Sequence, residues 1–217
     1  MPFAKIGTGN IMIDTLEANR GRARALVIDN ILQENILNGL PADRPLDNAF
    51  ALLTLHRPSN VDHLEILGPI VEFLCQEVVK EMPLIWPIHP RTRKMLESFG
   101  LWERAAGTRG VILLHPLGYL DMLRLNMGAR ILLTDSGGLQ EESCVLGTPC
   151  ITLRWNTERP VTLTEHGGVS QLAGNNVAKI RRLYHEMKGR AKVPQVPPLW
   201  DGRAAERIVS FFAQLDA

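Results

Sequence analysis

The chain has 217 residues, 45% of them hydrophobic and 22% charged, with a formal net charge of +1. That composition supports a real core in one large or two small domains. It gives no electrostatic basis for nucleic acid or an anionic membrane; no apolar run is long enough for a bilayer, and MPFAKIGTGN carries no signal-peptide pattern.

In chain order, residues 1–10 are short and Gly-containing, and read as a joint. Residues 12–38 recur at helical spacing through Ile13, Leu16, Ala23, Leu26, Ile28 and Leu32. Leu40-Pro41 and Arg44-Pro45 mark a loop. Phe50 to Leu55 is a buried-type strand that empties into His56-Arg57-Pro58-Ser59-Asn60. His63 to Lys80 reads as a helix whose regular part starts near Gly68, because of Pro69. Pro83 to Ile88 is a strand ending in His89-Pro90, and Arg91 to Ser98 a short helix. Val111 to Leu114 is a strand, followed by a helix from Leu120 to Met127. Ile131 to Leu133, the turn Thr134 to Gly138, a helix from Leu139 to Leu146 and the run Cys150 to Leu153 make a βαβ unit. A helix from about Asn176 to Met187, an exposed crossing segment from Lys188 to Pro198 and a last helix, Ala204 to Leu215 capped by Asp201, complete the chain. Five strands alternating with helices predict a doubly wound parallel sheet, Rossmann-like.

Polar clusters at strand ends are where such sheets hold ligands. The Ser136-Gly137-Gly138 turn lets a backbone approach closely and opens a helix whose free N–H groups suit an anion, with Asp135 or Ser136 as N-cap. Glu141 and Glu142 stand beyond it, where sugar hydroxyls rather than phosphate would be welcome. A nucleoside diphosphate fits that division; an ordinary capped corner with acids near a helix dipole fits it as well. His56 is the best candidate for proton exchange near neutral pH, although a strand-end histidine also serves as a plain hydrogen-bonding loop residue. Arg57 can offer a charge-assisted contact. The six histidines form no HxxxH or HxH pair, so no metal site is expected, and GxGxxG is absent, so no nicotinamide site is either. Cys75, Cys144 and Cys150 read as free thiols in a reducing cytoplasm.

DSGGLQEE followed by LGTPCITLRWNTERP resembles the signature of non-hydrolysing UDP-N-acetylglucosamine 2-epimerases. TLHRPSN at 54–60, PIHPRT at 87–92 and LWDGRAAERI at 199–208 follow the same family in the same order. The resemblance implies the C-terminal half of a glycosyltransferase-B fold: residues 1–45 as interdomain joint and leading helix, residues 46–217 as the UDP-binding domain. A Rossmann-like N-terminal domain would precede them, supplied separately or in a longer parent, and a homodimer is usual.

It further implies interconversion of UDP-N-acetylglucosamine and UDP-N-acetylmannosamine, by loss of the carbon 2 proton, elimination of UDP and its return. No external cofactor is required, and the setting is cytoplasmic, in cell-envelope polysaccharide biosynthesis. Ser136, Gly137 and Gly138 match the phosphate cradle, Glu142 the ribose acceptor, and Arg159 an arginine facing the nucleotide. Leu117 and Met122 match positions around the uracil. His56 matches the catalytic histidine by the diphosphate and sugar, with Arg57 and Asn60 beside it. His89 matches a cleft position near a second UDP-N-acetylglucosamine in some relatives. Ser59 stands where the family motif often has glutamate. Two alternatives remain open: a UDP-sugar glycosyltransferase domain, and a non-catalytic UDP-binding paralogue.

Overall fold

A computed structural model of the chain describes residues 7–38 and 49–215. These form α1 (Ile11–Arg24), α2 (Ile28–Asn35), β1 (Ala51–Thr54), α3 (Pro58–Val61), α4 (Leu64–Phe73), α5 (Val79–Glu81), β2 (Leu84–Pro87), α6 (Pro90–Ser98) and α7 (Trp102–Gly107). They continue as β3 (Val111–Leu114), α8 (Tyr119–Gly128), β4 (Ile131–Thr134), α9 (Gly137–Leu146), β5 (Cys150–Thr152), β6 (Ser170–Leu172), α10 (Val177–Met187) and α11 (Ala204–Leu215). The expected loop at Leu40-Pro41 and Arg44-Pro45 lies outside the described residues.

The strands pair in parallel in the order β3-β2-β1-β4-β5-β6. Successive crossovers step outward from β1 to β3, and the chain then returns to build β4 to β6 on the other side. The direction reverses between β1 and β4, the topological switch point at which doubly wound sheets hold ligands.

Continuous apolar strands are what a sheet covered on both faces requires. Alternate residues divide between two cores. Leu53, Trp86, Leu113 and Leu133 pack with Leu67 of α4 and Ile180 of α10. Leu52, Ile85, Ile112 and Leu132 pack with Leu32 of α2 and Leu125 of α8. A third cluster fastens α1 to α8 and α9 through Ile13, Leu16, Leu123 and Val145. Gly147 closes α9 in the left-handed conformation at φ 76°, and a Cβ there would stand 2.5 Å from Pro194 N.

Several expectations are corrected. The sheet has six strands rather than five among the described residues, because the piece after Gly167-Gly168 pairs with β5 as β6. The 12–38 pattern is two helices, broken between Arg24 and Ile28. Pro69 lies inside α4, which starts at Leu64 and runs through a π-helical turn, Leu74–Val78, into α5. A proline inside a helix costs about 3 kcal/mol, but burying Leu67, Ile70, Val71 and Phe73 contributes about 1.5–3 kcal/mol each. Asp201 does not cap α11. Its carboxylate accepts from Arg203 N, while Asp14 of α1 accepts from Ala204 N and Ala205 N at 3.0 and 2.7 Å. The crossing segment is mostly exposed but tied down by Lys192, whose Nζ donates to Asn126 O, Met127 O and Ala129 O.

Candidate functional site

β1 and β4 lie side by side in register, so the loops that leave them meet. The contact is organised by Asp135, which has no solvent exposure. Its carboxylate accepts from His56 N (3.0 Å), Arg57 N (2.8 Å) and Asn60 Nδ2 (3.0 Å). It also lies 2.7 Å from His56 Nδ1. Arg57 Nε donates to the Asp135 carbonyl at 2.8 Å, and Asn60 Nδ2 also reaches Leu153 O at 2.9 Å. Burial works to raise the Asp135 carboxyl, but the hydrogen bonds from the His56 ring and from the Arg57 and His56 amides outweigh it and hold the group below its ordinary value. An ionised carboxylate only accepts, so Nδ1 of His56 carries the proton and Nε2 remains as the ring's acceptor. The His56 side chain is 38% exposed. His89 stands at the next strand end with its ring 5.6 Å from that of His56. Its Nδ1 also caps α6 by accepting from Arg91 N at 3.2 Å.

The second part is the turn into α9. Ser136, not Asp135, is the N-cap: its Oγ accepts from Leu139 N at 3.5 Å. Asp135 is instead occupied with the β1 loop. Because Gly137 lacks a Cβ, two guanidinium groups come against the turn; a Cβ built there would lie 3.3 Å from Arg159 Nη1 and 3.5 Å from Arg154 Nη1. Arg159 pairs with Glu141 (Nε to Oε1, 2.7 Å) and Glu158 (2.6 Å). Arg154 Nη2 meets the other oxygen of Glu158 at 2.6 Å. Hydrogen bonding from Arg154 is the main reason that the Glu158 carboxyl falls to about 2. Glu141 is buried and also accepts from Asn10 Nδ2 at 2.9 Å, which ties the start of α1 to this cluster.

Glu142 lies further along α9 and is 4% exposed. Burial, only partly offset by hydrogen bonds from Tyr119 and Asn126 and reinforced by the charge of Glu141, pushes its carboxyl up to about 7. Tyr119 opens α8, between Leu117 and Met122, which pack partly buried against the core of Phe50 and Leu52.

The structure thus brings His56, Arg57, Asn60, His89, Ser136, Gly137, Gly138 and Arg159 to one end of the sheet. Leu117 leaves β3 at that same end, where Tyr119 of α8 meets Glu142 of α9. Sequence reading missed the central role of Asp135 and the partnership of Tyr119 with Glu142. The signal for the first was there: an acid directly after an apolar strand, at the β1–β4 switch point. Among the described residues no group of three or more His, Cys, Asp or Glu is arranged to hold a metal ion. No described helix is long and apolar enough to cross a membrane.

Comparison with known proteins places this architecture in context. The family profile described as UDP-N-acetylglucosamine 2-epimerase matches residues 5–213. A UDP-N-acetylglucosamine 2-epimerase of Methanocaldococcus jannaschii is 41% identical over 76% of this chain and 44% of its own length. A UDP-2,3-diacetamido-2,3-dideoxy-D-glucuronate 2-epimerase of Pseudomonas aeruginosa is 30% identical over 94% of this chain and 58% of its own. The crystal structure of the Methanocaldococcus jannaschii epimerase in complex with UDP-GlcNAc and UDP superposes with a TM-score of 0.80 at 34% identity, covering 96% of this chain and 54% of that one. The chain therefore spans about half the length of the relatives it matches.

Proposed function

The chain belongs to the UDP-N-acetylglucosamine 2-epimerase family, and from that premise we propose that it grips UDP-N-acetylglucosamine at the β1–β4 switch point for interconversion with UDP-N-acetylmannosamine. The observation that carries this reading is the buried Asp135, which clamps His56 beside the Ser136-Gly137-Gly138 turn. The helix N-terminus and Arg159 hold the diphosphate. Glu142 accepts from the ribose hydroxyls, with Leu117 and Met122 packing beside the base. His56 offers Nε2 as an acceptor to the sugar and, once protonated there, donates to the leaving and returning phosphate, and Arg57, Asn60 and His89 line the sugar side. The free thiols Cys75, Cys144 and Cys150 support a cytoplasmic setting. The facing wall of the cleft comes from a Rossmann-like N-terminal domain or from a second protomer.

Calorimetric titration tests the grip. UDP is expected to bind at least about 10-fold more tightly than uridine, since each charge-assisted contact contributes about 1.5–3 kcal/mol; equal affinities would sink the reading. The same titration carries a pH signature. Ribose hydroxyls donating to Glu142 favour its carboxylate, so binding lowers a pKa that starts at about 7 and releases a proton. With UDP-N-acetylglucosamine, whose diphosphate does not titrate in this range, affinity is expected to fall as pH drops from about 7. Glu142→Gln should flatten that slope. A flat profile in the unsubstituted protein would detach Glu142 from the ribose.

A further inference from the structure

We propose that Arg154 is the second cation of the diphosphate grip and the residue that selects a nucleoside diphosphate over a monophosphate. The inference rests on the reading of the Ser136-Gly137-Gly138 turn as the phosphate site. Arg154 follows β5 and its side chain is 11% exposed. Nη2 is satisfied by Glu158, but Nη1 is buried and has no hydrogen-bond partner among the described residues. A buried, charged, unpartnered donor is an exception in folded proteins and needs a cause. Its position supplies one. Nη1 lies 3.5 Å from where a Gly137 Cβ would be, against the first residue of α9, and Arg159 Nη1 lies 3.3 Å from the same point.

Glu158 spans the pair, one oxygen to each arginine, and so holds the two guanidinium groups side by side at the helix N-terminus. Each guanidinium has five N–H donors and spends only part of them on carboxylates, so both keep donors for a ligand. One arginine and the helix N-terminus suffice for a single phosphate. A second guanidinium, positioned before the ligand arrives, suits a second phosphate group.

The test is titration of the 217-residue chain with UDP, UMP and uridine, in the unsubstituted protein and in Arg154→Gln, Arg154→Lys and Glu158→Gln, with thermal unfolding of each. Arg154→Gln should weaken UDP by about 10- to 100-fold, UMP by much less and uridine not at all. Arg154→Lys should recover part of the UDP affinity, because it restores a point charge without the fork. Glu158→Gln should keep the preference for UDP over UMP. If Arg154→Gln does not fold, Arg154→Lys decides: a UDP-to-UMP ratio unchanged from the parent overturns the proposal. So does a folded Arg154→Gln variant that weakens UDP and UMP by the same factor, since Arg154 would then not select the second phosphate group. Equal binding of UDP and uridine by the unsubstituted protein would instead remove the phosphate site itself.

Discussion

His56→Ala is expected to slow epimerisation by on the order of 100-fold or more, measured in a fusion that joins the unmatched part of the Methanocaldococcus jannaschii relative ahead of Gly7. In the proposed reaction a proton leaves carbon 2 and one returns, so a group that exchanges protons near neutral pH is needed. Asp135 holds His56 by Nδ1 at 2.7 Å and leaves Nε2 for that exchange. Because the ring also donates to the buried Asp135, the variant is expected to lose some stability, so kcat is compared at a temperature where both proteins are folded. If His56 only contacts phosphate, the loss should sit in UDP affinity and the pH profile of kcat should keep its shape. A fusion that turns over normally without His56 would remove its role in proton exchange.

The second large effect is on folding. Asp135→Ala strips the acceptor from the His56 and Arg57 amides, Asn60 Nδ2 and the His56 ring. Removing one partner of a buried charged network costs about 3–5 kcal/mol, which for a chain of this size lowers the midpoint of thermal unfolding by on the order of 10 °C. Asp135→Asn should cost less, since it keeps one acceptor oxygen. In the unsubstituted protein the Asp135 carboxyl is depressed on folding, so its contribution is complete above the ordinary value of 3.8 and is lost as pH falls through the folded value. Glu142 acts in the opposite sense. Its carboxyl is raised from 4.5 to about 7, so the unliganded protein loses stability as pH rises through that window. Urea unfolding across pH separates the two; a change below about 1 kcal/mol for Asp135→Ala would show that the carboxylate does not hold the β1 loop.

The parallel sheet and the strand-end positions of the candidate residues were legible because they depend on local pattern. Apolar runs such as Phe50 to Leu55 and Ile131 to Leu133 each end in polar residues, and that alone puts His56 and Ser136 at strand ends. β6 was not legible, since Ser170–Leu172 is a three-residue strand defined by its pairing with β5 rather than by its own residues. Asp14 capping α11 was not legible either: the bond joins residues 190 positions apart, while Asp201 offered a nearer and more ordinary cap. Asp135 shows the limit most clearly. An acid before a Ser-Gly-Gly turn looks like an N-cap, and only the parallel neighbour β1 reveals that its carboxylate is already taken by His56 and Arg57. The burial of Glu142 and its contact with Tyr119 were not legible either, since Tyr119 lies on a different helix, α8.

The most direct test is solvent-deuterium incorporation at carbon 2 of UDP-N-acetylglucosamine. The described residues put His56 and His89 side by side at the C-terminal ends of β1 and β2. Epimerisation needs proton-exchanging groups on both faces of carbon 2, within a cleft that retains the detached UDP. The fusion is therefore expected to label carbon 2 steadily, and a protein consisting of residues 1–217 alone to bind UDP and label little. A fusion that binds the nucleotide-sugar and leaves carbon 2 unlabelled, or rapid labelling by residues 1–217 alone, would contradict the account.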